Sequence, residues 1–256
     1  MVARAHVMRG GEWAQALLRV LETPPEDAWA WMEQHGECLK VDPYTRAGLL
    51  EVQGRSCFLK LYRPRTGVQA TVFRTRWGRP LRNYEAAGRL SAAGIAVPEP
   101  LACLRLPGAV LLLSEGLPGG DNLHQWWRSG ERGERGRRVL RAAGELLAKV
   151  HAAGFAHGDC KWHNLLLYRE QIFLVDLDSA RRASRGDRVQ GRDLARFTLN
   201  AEELALERAD YAAFLDSYIS CIGVSERQLM ETMLPQLDKL RARHLLQYGE
   251  RGRRLV

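Results

Sequence analysis

The sequence predicts an α+β chain in two lobes, an N-terminal half built on an antiparallel sheet with one long helix and a mainly helical C-terminal half. Three observations carry this expectation. Short apolar runs bounded by turn residues crowd residues 37–116. Helical spacing dominates after Leu117-Pro118-Gly119-Gly120, which reads as a linker. The 256 residues, 46% hydrophobic and 27% charged, have an ordinary globular composition and can bury a substantial core. The expected division is a helical extension over residues 1–36, a first lobe over 37–116 and a second over 117–256.

Taken in order, Trp13, Leu17 and Leu21 recur at four-residue spacing, and Thr23, Pro24 and Glu26 supply the cap, first-turn proline and capping box of a second helix that ends near Gly36. From Glu37 to Arg63, the runs ECLKV, AGLLEV and CFLKLYR are separated by turn residues and fit three antiparallel strands. Residues 64–80 hold many arginines and few apolar residues in register, which reads as a flexible basic loop. It leads into the helix RNYEAAGRLSAAG, stopped by Gly94, and then two strands around a proline-rich turn. Beyond the linker, VLRAAGELLAKVHAAG is helical, NLLLY and IFLVDL are strand-like, and helix resumes from Gly191 to the C-terminus.

Five cysteines without CxxC spacing fit reduced thiols better than a disulfide framework or a zinc site. The N-terminus has no apolar core of a signal peptide, and no run is long enough to span a bilayer. A cytoplasmic protein is expected. The net charge of +8 favours an anionic partner, and eight Lys or Arg against the single acid Glu85 fall between Lys60 and Leu90.

The segment HAAGFAHGDCKWHNLLLYREQIFLVDLDSA is the informative one. Asp159, Asn164 five residues later and Asp176 twelve beyond that each adjoin a strand-like run. Phosphoryl transfer from a Mg-bound nucleotide asks for a carboxylate facing the acceptor hydroxyl and hard oxygen ligands for the metal. Asp159 suits the first task, and Asn164 and Asp176 the second. A single Asp or Asn is more often a turn residue or cap; the ordered set is what points to chemistry.

At these residues the sequence resembles the protein-kinase-like superfamily. HGDCKWHN matches its catalytic loop with Gly158 in place of the arginine, and VDLDSA matches the metal-binding turn, with Asp176 as the metal aspartate and Asp178 the weaker alternative for that role. The resemblance implies a bilobal kinase-like fold, ATP and Mg²⁺ as cofactors, and a role for Lys161 beside the transferred phosphate. It also implies that Lys60 in CFLKLYR contacts nucleotide phosphates, that Glu85 in RNYEAAGRL pairs with it, and that Asp193 in GRDLARF supports the catalytic loop.

Three departures narrow the resemblance. VDPYTRAG has no GxGxxG, no APE-like segment follows Asp178, and Gly158 removes the arginine that reads a phosphorylated loop. The first makes the phosphate-covering loop atypical, and the other two disfavour a regulated protein kinase that docks peptides. The phrase RLSAAGIAVPEPLA, Cys160 after HGD, RDLARF and the basic ending QYGERGRRLV resemble the bacterial lipopolysaccharide core kinases, from about Glu37 onward. The resemblance implies an ATP-dependent phosphotransferase acting on a heptose or Kdo hydroxyl of the inner core. The alternatives are a kinase-like enzyme for another small molecule or protein side chain, and a pseudokinase scaffold.

The acidic glycolipid acceptor is expected to meet Arg63, Arg65, Arg74, Arg76, Arg79 and Arg82, because guanidinium forks bind phosphate and carboxylate bidentately. The bland alternative is a solvated basic loop. Nucleic acid is not expected, since no zinc finger, recognition helix or RNA-binding aromatic signature accompanies the charge. Smaller basic clusters at Arg181–Arg196 and Arg241–Arg254 are expected to hold the protein peripherally at the anionic inner face of the cytoplasmic membrane, each close contact contributing about 1 kcal/mol.

Overall fold

The computed structural model describes residues 5–21, 28–75 and 77–256. Thr23, Pro24 and Glu26, expected to cap the second helix, lie outside the described residues, as does Arg76. Two compact units divide the chain, residues 1–91 with 98–119, and residues 92–97 with 120–256.

The first unit runs β1 (His6–Arg9), α1 (Gly11–Val20), α2 (Ala28–His35), β2 (Glu37–Asp42), β3 (Thr45–Val52), β4 (Arg55–Tyr62), α3 (Gly67–Phe73), α4 (Arg79–Ala92), β5 (Pro100–Leu106) and β6 (Ala109–Glu115). Its strands form one antiparallel sheet in the order β1-β5-β6-β4-β3-β2. Local chemistry fixes the hairpins. Between β3 and β4, Gln53 and Gly54 both have positive φ (52° and 72°), as the twist of a two-residue hairpin requires. Between β5 and β6, Pro107 presets the first turn position and Gly108 takes φ 69° at the second.

Strand alternation gives the sheet two buried faces. Leu59, Leu61, Leu111 and Leu113 pack beneath α1 and α2 with Leu17, Trp29 and Met32. Tyr62, Val110 and Leu112 face the other way, against Phe73 of α3 and Leu81 of α4. By the same alternation Lys60 stands on the Tyr62 side.

Two expectations fail here. His6–Arg9, in a stretch read as helical, is a strand paired with β5; four residues are too few for periodicity to separate the two states. The segment read as a flexible loop contains α3, started by Thr66, whose hydroxyl accepts from the Gln69 amide. One buried residue, Phe73, is too little apolar pattern to announce it.

The second unit runs β7 (Asp121–Asn122), α5 (Leu123–Arg128), α6 (Gly133–Ala152), β8 (Phe155–Ala156), β9 (Leu165–Tyr168), β10 (Gln171–Leu174), β11 (Arg181–Arg182), α7 (Arg188–Glu203), α8 (Arg208–Ile222) and α9 (Glu226–Tyr248). Its strands form two small antiparallel sheets, β10-β9-β7 and β11-β8. Helix α6 packs on α8 at Gly144, where a Cβ would lie 2.4 Å from the Phe214 carbonyl oxygen. A chain of buried aromatic rings, Trp127, Trp162, Phe197 and Phe214, fills the centre, with Phe197 stacked on Phe214 at 3.7 Å.

Candidate active site

The loop His157–Asn164 leaves β8 and enters β9, and buried groups hold it on every side. The Asp193 carboxylate, fully buried on α7, accepts from the backbone amides of His157 (2.6 Å) and Gly158 (2.8 Å). The His157 ring Nε2 lies 2.9 Å from the Val175 carbonyl, tying the loop to the segment after β10. Buried Trp162 is the floor: its indole donates to the Phe197 carbonyl and its amide to Asn200 Oδ1.

Gly158 has φ 80°, and a Cβ there would stand 2.6 Å from the Ser179 carbonyl oxygen. A left-handed residue packed this tightly must be glycine. The same contact shows why no arginine occupies this position.

Asp159 is the centre of the second unit's polar cluster. Its Oδ1 lies 2.7 Å from Arg196 Nη1, and its Oδ2 lies 3.2 Å from Lys161 Nζ. The Asn164 amide nitrogen donates to the Asp159 carbonyl (2.9 Å) and reaches its Oδ2 at 3.5 Å. That leaves Asn164 Oδ1 with no protein partner among the described residues. The Val175 amide donates to the Asn164 carbonyl at 3.0 Å, which seats Asp176 one residue from Asn164. Asp176 is left-handed (φ 59°) and opens the short 3₁₀ turn Leu177–Ser179 that holds Asp178. The Asn164 amide oxygen and the Asp176 carboxylate are hard donors of the kind that suits Mg²⁺, which takes few protein ligands when phosphates complete its shell.

The remaining predicted residues belong to the first unit. Lys60 is buried in β4, between Ala47 of β3 and Leu112 of β6, with Nζ 5.1 Å from the Tyr62 ring centre. Glu85, on α4, accepts from Arg9 Nη2 of β1 at 3.1 Å. Arg63 and Arg65 stack over Trp29 and Tyr44. Arg74 ends α3, and Arg79 and Arg82 lie in the first turn of α4.

Residues 29–218 match the model of the lipopolysaccharide kinase (Kdo/WaaP) family. The chain belongs to this family. A stretch of 143 residues is 26% identical to the 3-deoxy-D-manno-octulosonic acid kinase of Vibrio parahaemolyticus, covering 52% of this chain and 58% of that relative's length. A solved structure of WaaP in complex with acyl carrier protein superposes with a TM-score of 0.63 at 21% identity, over 96% of this chain and 99% of that one. The fold is therefore the protein-kinase-like fold expected from the catalytic-loop motif.

In this family member the structure gives a local setting to residues that sequence reading grouped only within the basic cluster Arg181–Arg196, and adds a histidine pair that it did not single out. Arg196 follows Asp193 by three positions, so one helical face of α7 both anchors the loop backbone and reaches the Asp159 carboxylate. Arg192 precedes it by one turn. Its pKa is pushed down by burial first and then by repulsion from Arg196, Arg181 and Arg243, with Asp159 opposing. The i,i+3 spacing in RDLAR was the available signal. His124 and His163, both of the second unit, stack at 4.3 Å. Burial is the first cause of their lowered pKa values, reinforced by Arg128 for His124 and by His124 and Lys161 for His163.

Proposed function

We propose that this chain is an ATP- and Mg²⁺-dependent kinase that phosphorylates a hydroxyl of heptose or Kdo in the lipopolysaccharide inner core. The observation that carries the reading is Asp159, held by a cation on each oxygen and joined through Asn164 to the turn bearing Asp176. Family membership supports the acceptor class.

Asp159 orients the acceptor hydroxyl. Each carboxylate oxygen has two lone pairs, so contacts to Arg196 and Lys161 fix its direction and still leave it able to accept from the incoming hydroxyl. Lys161, 3.2 Å away, neutralises charge as the oxygen attacks. Asn164 and Asp176 would hold Mg²⁺, and Lys60 would hold nucleotide phosphates, while Glu85, expected to pair with Lys60, is paired with Arg9. The nucleotide supplies the phosphoryl group; the chain supplies alignment and a fixed electrostatic field.

The arginines at 63, 65, 74, 76, 79 and 82 are proposed to draw the acidic acceptor from solution, and the basic clusters to keep the protein peripheral on the inner face of the cytoplasmic membrane. No helix among the described residues is long and apolar enough to cross a membrane. The test is to incubate the purified protein with ATP, Mg²⁺ and dephosphorylated core and weigh the product. The mass of one added phosphate is expected; an unchanged core, with phosphate moved to another acceptor, refutes the glycolipid assignment.

A further inference from the structure

A cavity of about 430 Å³ opens in the second unit between α5, α7 and the end of α9. Its walls carry His124 and Arg128 of α5, Glu203 of α7, His244 and Tyr248 of α9, and Arg251 just beyond that helix. The chemistry proposed at Asp159 uses none of them.

A chain of contacts ties this cavity to the catalytic loop. The Trp162 amide donates to Asn200 Oδ1, Asn200 Nδ2 donates to Glu203 Oε2 at 2.7 Å, and Glu203 Oε1 lies 2.7 Å from His244 Nε2. On the α5 side, His124 stacks on His163, the residue before Asn164. Arg196, Asn200 and Glu203 follow at i, i+4 and i+7, so they share one face of α7. Arg196 touches Asp159 at 2.7 Å. Seven residues at about 1.5 Å each put Glu203 about 10 Å farther along the helix.

The lining specifies a class of ligand. Among the described residues no carboxylate pairs with Arg128 or Arg251, whereas Glu203 is engaged by His244 and Asn200. The Arg251 guanidinium lies 5.2 Å from the Tyr248 ring centre, and the His244 ring 4.9 Å from it. Two guanidinium forks suit a phosphate or a carboxylate. The Tyr248 ring offers a flat apolar face to a sugar ring, and the imidazole and carboxylate groups offer hydrogen bonds to its hydroxyls. Small-molecule sites enclose about 300–1,000 Å³, a range that includes this cavity.

We propose that the cavity is a second acceptor subsite, holding an acidic sugar residue of the core remote from the one whose hydroxyl meets Asp159. An acceptor laid along α7 spans both places. The proposal rests on the reading of Asp159 as the acceptor-orienting residue, and it moves Arg251 from the membrane-facing cluster Arg241–Arg254 to substrate recognition.

The test uses the full chain and three acceptors: native core oligosaccharide, enzymatically dephosphorylated core, and core with its Kdo carboxylates reduced to alcohols. Affinity is read by titration calorimetry without nucleotide, and KM for ATP by turnover. Arg128→Ala/Arg251→Ala and Tyr248→Ala change exposed positions of the cavity, and Arg138→Ala/Arg208→Ala removes two exposed arginines of α6 and α8 outside it; thermal melting verifies each fold. Each cavity variant is expected to weaken native core about tenfold or more, as loss of a charge-assisted or packed contact does, with the outside pair and KM for ATP within about twofold of the parent.

Removal of the recognised group should weaken the parent similarly and abolish most of the difference between the parent and Arg128→Ala/Arg251→Ala. Sensitivity to phosphatase assigns a phosphate, and sensitivity to carboxyl reduction assigns a carboxylate. Parent-like core affinity in both cavity variants, a loss as large in the outside pair, or a loss confined to ATP overturns the subsite. Core binding that depends on the cavity without any phosphoryl transfer keeps the subsite and refutes the kinase reading; transfer with no dependence on the cavity does the reverse.

Discussion

Asp193→Asn tests how the catalytic loop is held. The wild-type carboxylate accepts two short bonds, 2.6 and 2.8 Å, from the amides of His157 and Gly158, in a fully buried position. Bonds to a charged acceptor contribute about 1.5–3 kcal/mol each. Asparagine offers one carbonyl oxygen and turns an NH₂ group toward the second amide, so one bond is lost and the other weakened. The expected loss is about 2–4 kcal/mol, and Asp193→Ala, which orphans both amides, should cost about 2–6 kcal/mol. Trp126, Trp127 and Trp162 are buried in the second unit and report its unfolding in urea. With slopes of about 1–3 kcal/mol/M, the asparagine variant should unfold roughly 1 M earlier or more. A midpoint equal to the parent's, with activity intact, would refute the claim that this carboxylate positions the loop.

Gly158→Ala must adopt φ 80° and displace the Ser179 carbonyl, 2.6 Å from the new Cβ. Left-handed strain alone costs about 1–2 kcal/mol, and activity should fall tenfold or more because the neighbouring residue is Asp159; wild-type rates would contradict this. Of the five thiols, Cys38 and Cys221 are exposed, whereas Cys57, Cys103 and Cys160 are buried, burial pushing Cys103 up to about 12. Ellman's reagent at pH 8 should titrate two thiols in the native protein and five in denaturant. The His124–His163 stack should make stability fall on acidification. Both imidazoles resist protonation when folded, so below about pH 6.5 the unfolded chain binds protons the folded chain does not. Urea midpoints should drop between pH 7.5 and 5.5, and less so in His124→Phe/His163→Phe; equal drops would exclude the pair as the cause.

Much of the fold was legible because its signals are local. The three strands β2, β3 and β4 and the helix carrying Glu85 were readable from alternation and turn residues. Strand β1 was not, because its partner β5 lies about 95 residues away and sheet pairing leaves no trace in a four-residue run. Helix α3 was missed because a capped helix with one buried residue has almost no apolar period.

The site shows the same division. Asp159, Lys161 and Asn164, proposed as site residues with Asp176, lie along one stretch of chain and are brought into contact by their own loop. Arg196 comes from α7, and only packing brings it to the Asp159 carboxylate. The arithmetic of charge drew attention to residues 60–90, where basic residues are dense in sequence. It could not register a single arginine that the fold carries to the Asp159 carboxylate.

The central claim is that Asp159 orients the sugar hydroxyl for phosphorylation. Its most direct test is the rate at which phosphate appears on dephosphorylated core with the parent protein and with Asp159→Asn, under saturating ATP and Mg²⁺ and with both folds verified. One phosphate per core from the parent, and a rate about 10²–10⁴-fold lower from the variant, is the predicted result. Equal rates from the two proteins, or no phosphate from either, would contradict it.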